Sequence, residues 1–472
     1  MYRIFMVDRV DYLVEYVLEH TDWEIEVLIT QEQWRKRRYS NNNRIKEVYD
    51  ATEFFELEAD NIDFDYVHKF EKCFRRFNYG MLRLKHDVQY ARYQFVSGLS
   101  IWKEKFDKYD IDFCLFTSIE HGWNCDTLMI ETARKRNIPC YNVVEAHGTC
   151  TVYNQLTNSF LEVKNQASRE QIYKMYCDAA YYFTKDNKDT EFHVLTPKEK
   201  IFKFLADNGG TAFMALYRCY HDRSFNFTWY DDRNIKTNYF KFLYKFFMWK
   251  FNFYIKKKMY QKVDYNEKYI VYFLHFEPEA LIVHNANTVD SQLINILILA
   301  KSLPKGWKLY IKEHPAAKKL NSERSWGYFI EYYPDFNSID YWKKIVSISN
   351  VKLISEASAT DLIKHSQAVS TMAGTVIKEA LLEHKPVLAF GDARKIVYSS
   401  MKGYFPIYST ENCRRAIDKI NAGKVTFSVE DIYSLRKYVV AQNSDGYDEI
   451  LEMIDSNIGK HCARETMTDR KN

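Results

Sequence analysis

Two rhythms run along this chain: short unbroken apolar runs, and longer stretches with apolar residues three or four positions apart. Near the start, Arg3 to Val7 is an apolar run, Tyr12 to His20 has helical spacing, and Glu24 to Ile29 alternates with period two. The spacing predicts long helices between about Asp60 and Tyr109. It then predicts a buried strand at Phe113 to Thr117, a helix at Asp126 to Arg136 and a strand at Pro139 to Val144. Strands joined through helices by short links imply a parallel sheet. The pattern breaks over 186–265, where charged and aromatic residues dominate and Asn208-Gly209-Gly210 marks a loop.

A second strand–helix alternation fills 266–425. Its expected strands are Tyr269 to Leu274, Lys308 to Lys312, Val351 to Ile354, Ala368 to Ser370 and Val387 to Phe390. Helices are expected at Ser291 to Ser302, Thr360 to His365 and Val376 to Glu383. Ser428 to Ile454 reads as terminal helices, and the polar residues after Ser456 as a mobile tail. The division expected is therefore an N-terminal α/β domain at 1–185, a helical, basic and aromatic connector at 186–265, and a C-terminal α/β domain at 266–425. Closing helices at 426–456 and a flexible tail at 457–472 complete it. A chain of 472 residues is too long for one ordinary core, in keeping with two or three domains.

Composition narrows the classes. With 46% apolar residues the chain can fold, and a net charge of only +4 argues against a dedicated nucleic-acid binder. The nine cysteines show no metal-finger spacing and read as reduced thiols, which fits a cytoplasmic protein. The N-terminal residues read as strand then helix rather than as a leader, and no run of 18 uncharged apolar residues occurs.

Three polar clusters end apolar runs in the second half, where an α/β sheet builds its ligand crevice. They are LHFEPEA at 274–280, YIKEHP at 310–315 and AVSTMAGTVIKEALLEHKPVLAF at 368–390. In the last, Ser370, Thr371, Gly374 and Thr375 lead into an amphipathic helix, a hydroxyl-rich turn at a helix N-terminus suited to anions. In this order and spacing, the text from Tyr269 to Phe390 resembles the capsule polysaccharide biosynthesis family, which includes bacterial β-Kdo transferases. More weakly, IDFCLFTS and RNIPCYNVVEAHG resemble the acceptor-side domain of such proteins. One position departs: Glu277-Pro278 stands where the family commonly has Gln-Pro, which puts the donor in question.

The resemblance implies a GT-B-like fold: two doubly wound Rossmann-like α/β domains with a helical connector and C-terminal helices. It further implies a glycosyltransferase that uses a nucleotide-sugar donor, CMP-linked and Kdo-like, and a capsule, surface or lipid-linked glycan acceptor. Such transfer needs the leaving phosphate stabilised as its charge develops. His314, aimed by the turn at Pro315, is expected to donate to that phosphate, together with Ser370, Thr371, Thr375 and the backbone at Gly374. Helix capping is the plainer role for Thr375. Glu379, four residues past Thr375, is placed to accept from ribose hydroxyls, or else to pair on the surface. His275, Glu277 and Glu279 are expected to line the cleft on the sugar side. For the general base, Glu145 ranks ahead of His147, Glu120 and His121, which also follow predicted strands.

The segment Lys236 to Lys262 carries eight lysines and no acid among its aromatics. It suits contact with an anionic inner-membrane surface, or plain packing between domains. The chain is read as having no Asp-x-Asp motif of metal-dependent transferases and no GxxxxGK loop, so neither a metal nor another cofactor is expected. Two other readings stay open: a CDP-linked glycerol or sugar phosphotransferase, and a non-catalytic scaffold of a polysaccharide assembly complex.

Overall fold

The computed structural model describes residues 1–8, 11–30, 33–74, 77–78, 88–117, 126–146, 149–164, 168, 247–248, 251–275, 291–314, 338–354, 357–372, 374, 376–391, 401–425, 431, 433–441 and 444–469. The chain divides into two compact units. The first comprises Met1–Tyr176, Ala393–Met401 and Glu430–Asn472, and the second Cys177–Asp392 and Lys402–Val429.

In the first unit the strands are β1 (Arg3–Asp8), β2 (Glu24–Thr30), β3 (Ile45–Asp50), β4 (Phe113–Thr117), β5 (Cys140–Ala146), β6 (Thr149–Asn154), β7 (Ser159–Phe160) and, from the far end of the chain, β14 (Val440–Ala441). They form one sheet in the order β14-β6-β5-β4-β1-β2-β3, with β7 beside β6. The run from β5 to β3 is parallel, and β6, β7 and β14 add antiparallel edges. Strand β4 is buried at every position, as expected of a parallel strand covered on both faces. Helix α1 (Asp11–His20) follows β1, and the 21-residue α5 (Val88–Lys108) sets Trp102 and Phe106 against Phe5.

The C-terminal segment corrects the expectation of terminal helices alone. Strand β14 pairs with β6, and α12 (Ser444–Asp469) runs well past Ser456, where a mobile tail was expected. Its apolar side, including Ile450, Met453, Ile454 and Ile458, completes the core beneath β1, β2 and β4. Tyr16 donates to Asp448 (2.7 Å), and Tyr141 (2.9 Å) and Asn154 (3.0 Å) both donate to Asn457.

The second unit holds a six-stranded, all-parallel sheet: β8 (Tyr269–Phe273), β9 (Lys308–Lys312), β10 (Val351–Ile354), β11 (Ala368–Thr371), β12 (Val387–Ala389) and β13 (Tyr404–Pro406). Its order is β10-β9-β8-β11-β12-β13, the doubly wound order 3-2-1-4-5-6. Helix α7 (Gln292–Ser302) links β8 to β9 and is capped by Ser291, whose hydroxyl accepts from the Ile294 N–H. Helix α10 (Val376–Leu382) links β11 to β12. Of the fold class read from the sequence, the two doubly wound Rossmann-like α/β domains and a C-terminal helix are observed. Of the connector, only 247–248 and 251–265 are described.

Candidate functional site

The chain reverses its winding between β8 and β11. The crevice that this leaves at the strands' carboxyl ends is where doubly wound sheets bind ligands. Residues from two of the three predicted motifs, the first and the third, meet there. Thr371 Oγ1, at the end of β11, lies 3.2 Å from His275 Nε2 and 3.3 Å from the Phe273 carbonyl, to which it donates. Gly374 has φ +142°, and a Cβ at that position would come within 3.1 Å of His275 Cε1. Only glycine accepts that backbone and lets the imidazole lie so close.

The backbone of His275 is clamped by a residue that the sequence did not single out. Gln292 on α7 is buried; its Oε1 accepts from the His275 N–H (2.8 Å) and its Nε2 donates to the His275 carbonyl (3.1 Å). The signal was a glutamine opening an otherwise apolar helix, yet its partner 17 residues away is fixed only by the fold.

Ser370 is buried like Thr371 but bonds on the other side of β11. Its hydroxyl is fully buried and donates to the Leu388 carbonyl at 2.8 Å, which ties β11 to β12. Glu379 lies half-buried on α10, and that burial raises its carboxyl pKa above the usual glutamate range. His314 is exposed directly beyond β9. Pro315, Thr375, Glu277 and Glu279, and on the acceptor side Glu120, His121 and His147, lie outside the described residues. Glu145 falls within β5, but its side chain is not described.

Next to His314, Glu313 is an acid that the sequence reading passed over. It is buried, and both carboxylate oxygens are engaged: Oε1 by the Lys256 ammonium and Oε2 by the Tyr260 hydroxyl (2.6 Å). Lys256 is buried as well, with its ammonium 4.7 Å from the Trp342 ring centroid. Burial pulls the Lys256 pKa down while the Glu313 charge opposes it. This corrects the picture of the basic segment, since one of its eight lysines is committed to the domain interior. The Gln261 N–H donates to the Leu353 carbonyl (2.8 Å), which holds the same segment to the sheet. Phe247, Phe251 and Tyr254, together with Lys257, remain exposed.

Among the described residues, no group of three or more His, Cys, Asp or Glu side chains is arranged to hold a metal ion. Two Asp-x-Asp strings do occur, at Asp63–Asp65 and Asp110–Asp112, but both lie in the first unit. Asp63 caps a helix by accepting from the Tyr66 N–H, and Asp112 accepts from the Arg3 N–H at the amino end of β1. No described helix is long and apolar enough to cross a membrane.

A parallel 3-2-1-4-5-6 sheet with an imidazole, a hydroxyl and a required glycine at its switch point is a candidate ligand site of an α/β domain. Residues 221–401, which hold those three residues and five of the six strands, match the family model described as capsule polysaccharide biosynthesis protein. That stretch, less than half of the chain, is similar to the capsule polysaccharide biosynthesis family. No curated protein matches the chain.

Solved structures similar to it include KpsC from Thermosulfurimonas dismutans, a beta Kdo 2,7 transferase, at 10% identity over 75% of this chain and 88% of that one, with a TM-score of 0.29. The UDP-GlcNAc 2-epimerase of Methanocaldococcus jannaschii is 10% identical over 96% of this chain and 99% of its own, with a TM-score of 0.27. MnaA of S. aureus, solved with UDP, is 13% identical over 97% of each chain, with a TM-score of 0.29.

Proposed function

We propose that the protein is a metal-independent glycosyltransferase that moves a Kdo-like sugar from a CMP-linked donor to a capsule or other surface glycan. The observation that carries this is the meeting of His275, Thr371 and Gly374 at the switch point of the second sheet, within the span that matches the capsule family. An imidazole and a hydroxyl beside an open glycine backbone suit a phosphate whose charge grows as the sugar leaves. His314, one strand away beyond β9, donates to that phosphate, and Glu379 accepts from the ribose hydroxyls. Glu145 serves as the base toward the acceptor. The acceptor is a lipid-linked glycan, and the enzyme meets it at the inner leaflet, with Phe247, Phe251, Tyr254 and Lys257 touching the anionic surface.

The test is the thermal midpoint of wild type and His314→Ala with CMP, CDP, UMP, UDP, GDP and dTDP, since a ligand of the native state raises the midpoint according to its affinity. Stabilisation by CMP that is lost in the variant is the expected result, with EDTA leaving it unchanged. Preference for a uridine nucleotide would replace the donor, and no response to any nucleotide would leave the scaffold reading.

A further inference from the structure

Burying an ion pair costs free energy that a matched apolar pair would not, so an ion pair of this kind is poorly explained by stability. Lys256 and Glu313 are both buried, and the Tyr260 hydroxyl occupies the second carboxylate oxygen. The lysine is packed further by aromatic rings, with Trp342 at 4.7 Å and Phe253 at 5.4 Å from its ammonium. What distinguishes the pair is its place. Glu313 is the first residue past β9 and the last before His314, at the carboxyl edge of the sheet. On the neighbouring strand, the Leu274 N–H donates to the Lys312 carbonyl (2.9 Å), so the exits of β8 and β9 are tied together. The two imidazoles of the candidate site leave from these two exits. His275 is held by Gln292, and Glu313 provides the corresponding hold beside His314.

We propose that Lys256, Glu313 and Tyr260 are positioning residues that fix the chain at His314 for the donor phosphate. This rests on the transferase reading above. A carboxylate gripped from two sides by a separate segment resists rotation of the strand exit, which an apolar contact of the same volume does not. The segment at 251–260 thereby becomes part of the donor site without touching the donor.

The experiment is a double-mutant cycle on CMP affinity. The first arm is Lys256→Met/Glu313→Gln, which removes both buried charges together and so leaves neither unpaired; circular dichroism and the thermal midpoint check that it folds. The second arm is His314→Ala, alone and in that background. The expected result is a folded double variant that binds CMP about tenfold more weakly, and in which His314→Ala costs less than about twofold, against about tenfold in wild type. Wild-type affinity in the double variant, or a His314→Ala penalty undiminished there, overturns the positioning role while the transferase reading stands. His314→Ala without effect in wild type removes the His314 assignment and this proposal with it. A wild type that does not bind CMP overturns the donor reading itself.

Discussion

The two sheets share a strand order through their centres, yet the polar residues described at their switch points are used in different ways. In the first unit the reversal falls between β1 and β4, and the polar residues described at its edge are Asp8 and Thr117. Both are buried, and Asp8 accepts from the Thr117 hydroxyl (3.0 Å) and from the Val14 N–H (3.2 Å), so its carboxylate secures the turn into α1. In the second unit the equivalent edge carries His275 and Thr371 beside a glycine, and the imidazole is only half-buried. Among the described residues, the same topology spends its polar groups on its own fold in one unit and sets an imidazole beside a hydroxyl at a crevice in the other. Strand order marks where a site can be built, and side-chain chemistry decides whether one is.

The largest expected effect tests the second half of that contrast. His275→Ala and Thr371→Val should each lower sugar transfer about 100-fold, the usual cost of one lost donor to developing charge. Because Thr371→Val keeps the side chain's shape and His275 is not fully buried, the thermal midpoint should move by only a few degrees. Transfer that survives both substitutions would show that this crevice is no more active than its counterpart in the first unit.

Asp8→Ala should do the reverse. It leaves a buried N–H and a buried hydroxyl without their acceptor, which costs about 2–3 kcal/mol of stability. Urea unfolding reads that loss, and CMP affinity should stay within about twofold of wild type, because nothing at the second switch point is touched. A loss of CMP binding without loss of stability would mean that the first unit's edge is itself a ligand site.

How far the sequence disclosed this contrast follows from the range of the interactions involved. The strands at Phe113–Thr117, Lys308–Lys312 and Val351–Ile354 were legible to the residue, because their apolar runs are complete in themselves. Strands β13 and β14 were not, since three and two residues make no pattern and β14 exists only through pairing with β6. Strand β3, IKEVYD, was hidden by charges on its half-exposed positions. At the site, His275, Thr371 and Gly374 could be named from motifs whose members sit near one another in sequence. Gln292 and Lys256 could not, because each acts on a residue brought to it by the fold. Ser370 and Thr371 looked equivalent in sequence, and each hydroxyl donates to a neighbouring strand's carbonyl, but only that of Thr371 also lies beside His275.

The smallest effect concerns charge at the rim of the first unit. Burial pulls the Glu47 pKa up, but hydrogen bonds from Lys105, Lys108, Tyr109 and Tyr49 outweigh it and hold the carboxyl at about 2, below the ordinary 4.5. A carboxyl depressed by folding contributes stability that is fully present above about pH 4.5 and is lost as the pH falls toward about 2. Glu47→Gln should therefore cost on the order of 1 kcal/mol near neutrality, well short of the full shift because part of the site is solvated. Urea midpoints of wild type and variant should differ at about pH 6 and draw together only as the pH falls to about 2. A gap that stays constant with pH would assign the loss to packing rather than charge. CMP affinity should be the same in both proteins, since Glu47 serves only the unit whose polar groups are spent on the fold.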